Sequence, residues 1–85
     1  MQAFPKLKND QIALLRAERT TGHVVDINLS LVISEQQEVY SIFENVDLAR
    51  SYITSFLKTD DRFEYVLYNK DKVVVSFTSV GQTEL

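Results

Sequence analysis

Cysteine is absent from this chain of 85 residues, which excludes disulfides, a thiol nucleophile and thiolate metal sites. With one histidine and no cysteine, neither a multi-histidine zinc site nor a Cys/His pair can be assembled. We interpret that histidine, His23, as a surface residue of a turn. The two glycines, Gly22 and Gly81, are too far apart to form a loop that cradles phosphate. The sequence therefore predicts a protein that is not an enzyme and that holds no cofactor and no metal.

Long apolar segments are also missing. Runs such as residues 31–33 and 73–75 are far too short to cross a bilayer. The first ten residues carry Lys6 and Lys8 but no apolar segment of the kind found in secretory signals. We therefore expect a cytoplasmic protein with no membrane partner.

Basic residues are scarce in the middle of the chain. The net charge is −3, and no lysine or arginine occurs between Thr20 and Ala49. An acidic balance disfavours nucleic acid and anionic membranes as partners. Two interpretations remain, a solvated acidic surface and an acidic docking surface for a basic partner. The acidic residues concerned are Asp26, Glu35, Glu38, Glu44 and Asp47.

Residues 46–58 give the strongest helical pattern. Their apolar side chains recur on one face of a helix, with polar ones opposite. These apolar residues are Leu48, Ala49, Tyr52, Ile53, Phe56 and Leu57. Asn45 precedes the pattern, where its side chain can accept a hydrogen bond from an early N–H of the helix. The sequence thus predicts one capped amphipathic helix that covers the apolar side of the remaining structure.

Alternating apolar residues predict strands elsewhere. Residues 23–33 form the longest such pattern, and we expect five of its side chains to face the helix. These are Val25, Ile27, Leu29, Leu31 and Ile33. Residues 11–19 suit a helix as well as a strand, but the turn at Gly22 favours pairing with 23–33. A third strand is predicted over 39–44, and a hairpin over 63–68 and 73–78.

These elements predict a small α+β domain with the order β-β-β-α-β-β. We expect a mixed, mostly antiparallel five-stranded sheet with one helix on one face, and third and fourth strands that run in the same direction. The strand order stays open between 1-2-3-5-4 and an order that places the last hairpin beside the first strand. Residues 11–78 form the predicted domain, 1–10 a flexible or loosely docked arm, and 79–85 a tail.

One helix covers one sheet face, yet the predicted strands carry bulky apolar residues on both faces. A contiguous exposed apolar surface marks an interface, and tyrosine is enriched at such surfaces. The candidate interface residues are Tyr40, Tyr65, Tyr68 and Val74. We therefore predict a non-enzymatic protein–protein interaction module that self-associates, as a candidate homodimer, through the sheet face or the sheet edge that the helix does not cover. The simpler interpretation of the same surface is that the terminal segments pack against it. The alternatives are an acidic inhibitor or immunity-type protein with a basic partner, and a small-molecule binding domain.

Overall fold

The computed structural model describes residues 2–79 and the backbone of residues 82–84. Its elements follow in the order β1 (Ile12–Glu18), β2 (Val24–Val25), β3 (Tyr40–Phe43), α1 (Val46–Leu57), β4 (Phe63–Tyr68), β5 (Val74–Ser79) and β6 (Gln82–Glu84). The predicted α+β class and element order are confirmed. The helix and four of the five predicted strands begin and end within one residue of the predicted bounds.

Strand β1 lies at the centre of the sheet and pairs with three other strands. β4 occupies one of its edges, while β2 and β3 lie end to end along the other. All described strand pairs are antiparallel. The sheet is therefore antiparallel in its described part and is not the mixed sheet that we expected. β3 and β4 do run in the same direction, as predicted, because both are antiparallel to β1. Of the two strand orders left open, the structure has the second, in which the last hairpin lies beside the first strand.

Helix α1 begins after Asn45, whose side-chain oxygen accepts a hydrogen bond from the Leu48 N–H at 2.9 Å, as predicted. Ala49 and Ile53 are buried against the sheet. Leu48, by contrast, is 52% exposed, so its assignment to the buried face is wrong. The sheet residues in the core beneath the helix are Ile12, Leu14, Val25, Phe63, Tyr65 and Leu67. No helix in residues 2–79 combines the length and the apolar character needed to cross a membrane.

The long second strand that we predicted is wrong beyond Val25. Its continuation is a tight loop, because the Asp26 carboxylate accepts hydrogen bonds from the N–H groups of Asn28 at 2.8 Å and Ser30 at 3.0 Å. Within this loop Leu29 adopts a left-handed conformation with φ of 67°. Such bonds from a side chain to nearby backbone compete with the ladder of a sheet.

The loop also changes which side chains are buried. Val25 lies in the core and Leu29 packs against it, as predicted. Ile27, Leu31 and Ile33 are 41%, 49% and 91% exposed, so their predicted contact with the helix is wrong. Alternation places side chains on one face only where the chain stays extended, and here it does not.

The two ends of the described chain both contact the sheet. In the predicted arm, the Gln2 side-chain oxygen accepts hydrogen bonds from the N–H groups of Val39 at 2.8 Å and Tyr40 at 3.3 Å. The Phe4 ring lies edge-on to the rings of Tyr40 and Tyr68, with centroids 5.3 Å and 5.8 Å away. In the predicted tail, β6 pairs with β5 and makes the sheet six-stranded. A three-residue strand is too short to leave an alternation in the sequence.

Candidate functional site

The sheet side opposite α1 is apolar and only partly covered. Leu14, Tyr65 and Leu67 face the helix, so the residues that alternate with them face the other way. The pairing registers arrange those residues in two rows across the sheet. The first row is Ile42, Ala13, Tyr68 and Val74, and the second is Tyr40, Leu15, Val66 and Phe77.

The N-terminal arm covers only the middle of the first row and one end of the second. Phe4 lies on Tyr40 and Tyr68, and Ala13 in the first row is fully buried, so the remaining residues of the two rows are exposed or partly buried. Ile42 and Val74, at the two ends of the first row, are 48% and 41% exposed. Leu15, Val66 and Phe77 are partly buried. We call these five side chains the open face: Leu15, Ile42, Val66, Val74 and Phe77.

The four candidate interface residues fall on both sides of the sheet. Tyr65 belongs to the core beneath α1 and is 1% exposed, so its assignment to an interface is wrong. Tyr40 is buried under the arm, and this burial together with Tyr68 raises its pKa. Tyr68 is partly buried and contacts Phe4. Val74 thus has the most exposed side chain of the four. The alternation of residues in the sequence did not indicate this difference in exposure.

The five acidic residues lie in three different segments. Asp26 is buried, and hydrogen bonds from the Gln37 side chain and from the Ser30 and Asn28 N–H groups lower its pKa. It therefore holds its own loop together. Glu44 accepts a hydrogen bond at 3.0 Å from the Gln11 side chain. The other three, Glu35, Glu38 and Asp47, are exposed.

A buried cation lies on the helix side of the sheet. Arg16 is 3% exposed, and its Nη2 donates to Ser41 Oγ at 2.9 Å and to Tyr52 Oη at 2.8 Å. Its guanidinium carbon lies 5.4 Å from the centroid of the Tyr52 ring. Its Nη1 has no hydrogen-bond partner within the part of the chain that the structure describes. Our sequence interpretation missed this residue, although alternation with Ile12 and Leu14 places it on their face.

A cleft of about 370 Å³ opens between α1 and β5, also on the helix side. Its walls include Ile53 and Leu57 from the helix and Ser76 and Thr78 from the strand. Among residues 2–79 and the short strand β6, no group of three acidic or histidine side chains is arranged to hold a metal ion. Features that could carry a function thus include the open face, the cleft and the buried cation.

Comparisons of the chain with protein-family models, with curated proteins and with solved structures found no match. Similarity to a known protein thus supplies no function, and the proposals below depend on the geometry of the chain itself.

Proposed function

We propose that the protein is a non-enzymatic interaction module that self-associates, two copies meeting through the open face. The observation that carries this proposal is the accessible apolar surface on the side of the sheet opposite α1. Ile42 and Val74 are each more than 40% exposed at the ends of one row, and Leu15, Val66 and Phe77 continue the surface in the next row. Contiguous apolar surface of this kind is typical of interfaces. A cytoplasmic location is part of the proposal and stays a prediction.

The shape of the molecule supports a second copy as the occupant. The protein measures 32 × 30 × 17 Å, so it is broad in two dimensions and thin in the third, and a flat surface can extend across it. A standard interface takes about 800 Å² from each partner, which a face of this breadth can supply. Two sheets that pack face to face lie about 10 Å apart and interdigitate their side chains. A two-fold axis uses the same patch on both copies, which is the commonest arrangement in homo-oligomers.

Substitution of Val74 by lysine tests the proposal. Val74→Lys places an ammonium group in each half of the apolar contact, and burying such a charge without a partner costs several kcal/mol. We expect the dissociation constant of the dimer to rise by about 100-fold or more. Ile42→Lys, at the opposite end of the same row, should have the same effect. The measurement is the mass in solution by light scattering after gel filtration, over a wide range of concentration.

Leu48→Lys is the matched control, because Leu48 is an aliphatic residue with 52% exposure on α1 and not on the open face. It adds the same charge and should leave the dimer intact. Thermal unfolding of all three variants establishes that each still folds. A monomeric parent at high concentration would overturn the proposal, as would variants at Val74 and Ile42 that keep the mass of the parent.

The alternative function, an acidic inhibitor of a basic partner, draws on the exposed acids Glu35, Glu38 and Asp47 in a segment without lysine or arginine. Exposed charges are screened by salt, whereas apolar contacts are not weakened by it. The alternative therefore predicts that affinity for a basic partner falls strongly as salt is raised, and an affinity that is unchanged between low and high salt would count against it. A dimer held together through the open face should instead keep its mass at both salt concentrations.

A further inference from the structure

The cleft between α1 and β5 exists because the helix is narrower than the sheet. α1 lies over β1, β3 and β4, so the helix side of β5 continues beyond it. On that strand Ser76 and Thr78 face the same side as Leu67 and Tyr65, their partners in β4. Their side chains are too small to fill the space beside the helix. The resulting volume of about 370 Å³ lies within the range of about 300–1,000 Å³ that is typical of small-molecule sites.

The walls of the cleft differ in chemistry. Ile53 and Leu57, four residues apart and therefore on one face of α1, form an apolar wall. Ser76 and Thr78 line the opposite wall, and both are small polar residues that are only 1% and 7% exposed. Apolar surface that includes a few fixed polar groups is typical of sites for small organic molecules.

The charge of the cleft is opposite to that of the protein. Arg50 and Lys58 line it, and no aspartate or glutamate among the described residues does so, although the chain contains 12 acidic and 9 basic residues. In the described part of the chain no acidic side chain lies within ion-pair distance of Lys58. Lys58 thus gives the cleft a positive charge, which attracts anions.

We propose that this cleft binds a small amphipathic carboxylate. The carboxylate pairs with Lys58, and the apolar body lies mainly against Leu57 and extends toward Arg50. Arg50 and Lys58 are eight residues apart, which is about 12 Å along the helix axis, so an elongated ligand fits better than a compact one. This site is on the opposite side of the sheet from the open face, and it does not depend on self-association.

Titration of the ¹⁵N-labelled protein with octanoate, followed by two-dimensional NMR, tests the proposal. We expect amide shifts that saturate and that map to the second half of α1 and to β5. Octanol and octylamine, which share the alkyl chain but lack the negative charge, should bind at least about fivefold more weakly. An ion pair that is partly exposed contributes about 1 kcal/mol, which corresponds to this factor.

Lys58→Gln should weaken octanoate binding by the same factor of about five, while Lys58→Arg should retain it. Lys72→Gln, which removes an equivalent charge outside the cleft, is the matched control and should bind as the parent does. Val74→Lys should also bind octanoate normally, so this test can fail while self-association holds, or the reverse. The proposal is wrong if octanoate does not bind, if octanol binds equally well, or if the shifts map to the open face.

Discussion

The guanidinium of Arg16 is buried beside two hydroxyl oxygens, with no carboxylate as a partner among residues 2–79. Removing a charge from water costs several kcal/mol, which hydrogen bonds offset only in part. The Tyr52 ring adds a favourable contact, because an aromatic face attracts a cation. Arg16 thereby ties α1, through Tyr52, to β1, and through Ser41 it ties β1 to β3. We infer that it contributes to the position of the helix more than to the stability of the fold.

We expect Tyr52→Phe to lower the free energy of unfolding by about 1–3 kcal/mol, because a buried donor loses an acceptor. Arg16→Met removes the charge together with its requirement for partners, and such replacements are often neutral or stabilising by about 1–4 kcal/mol. Urea unfolding of both variants measures these differences.

The double variant Arg16→Met/Tyr52→Phe shows whether the Tyr52 hydroxyl stabilises the fold through Arg16. In the Arg16→Met background, Tyr52→Phe should cost less than about 0.5 kcal/mol, because the donor that needed the hydroxyl is gone. Tyr68→Phe, on the other side of the sheet, is the matched control for the loss of a tyrosine hydroxyl group. Equal costs of Tyr52→Phe in the two backgrounds would show that the hydroxyl does not act through Arg16.

At the scale of single elements, the sequence predicted those whose pattern is local. Asn45, the helical repeat that follows it and the alternation of β4 each lie within a few residues, and α1 and β4 were placed correctly. The prediction of a long second strand was wrong because Asp26 is a residue that favours turns. Its carboxylate accepts hydrogen bonds from nearby N–H groups, which would otherwise pair with a neighbouring strand. The predicted burial of Leu48 was wrong because this residue lies at the margin of the apolar stripe, where burial depends on how the helix is rotated on the sheet.

The candidate site was harder to predict, because it depends on contacts between distant residues. Alternation correctly indicated that Tyr65 and Tyr68 lie on opposite faces, but not which of them faces the helix. The burial of Tyr40 depends on Phe4, an aromatic residue of the arm that is far away in sequence. No short-range pattern in the sequence carries that information.

The described part of the N-terminal arm, residues 2–10, contains no helix or strand, and the Phe4 ring packs it against Tyr40 and Tyr68 of the sheet. We expect Phe4→Ala to lower the free energy of unfolding by about 1–3 kcal/mol, less than the full cost for a completely buried phenylalanine. Hydrogen exchange should also accelerate at the Val39 and Tyr40 amides, which donate to Gln2 in the docked arm. Lys6→Ala, at an exposed residue of the arm, is the control. Unchanged exchange at these two amides in Phe4→Ala would mean that Phe4 does not hold the arm in place.

For the molecule as a whole, two carboxylates link stability to pH. The pKa of Asp26 is below its ordinary value of 3.8 because of hydrogen bonds from the Gln37 side chain and the Ser30 and Asn28 N–H groups. The Arg62 side chain, 2.7 Å from Asp60, lowers the pKa of Asp60 to about 2. A lowered pKa in the folded state stabilises the fold at pH values above the unfolded pKa. That stabilisation is lost as the pH falls through the folded value.

We therefore expect the midpoint of thermal unfolding to fall as the pH is lowered from about 4 toward 2. Asp26→Asn and Asp60→Asn should each start from a lower midpoint at neutral pH and show a smaller decrease at acid pH. Asp71→Asn, at an exposed acid in the turn before β5, is the control and should follow the parent. A parent-like acid decrease in both Asp26→Asn and Asp60→Asn would exclude these two carboxylates as its cause.

The placement of the tyrosines gives the molecule its own optical reporters. The chain has four tyrosines and no tryptophan, so its intrinsic fluorescence is emitted by tyrosine alone. Tyr52 and Tyr65 belong to the layer beneath the helix, whereas Tyr40 and Tyr68 belong to the layer beneath the arm. Replacing either pair with phenylalanine leaves a chain whose emission comes from one layer only. Release of the arm and loss of the helix can thus be followed as separate events, without attaching a dye.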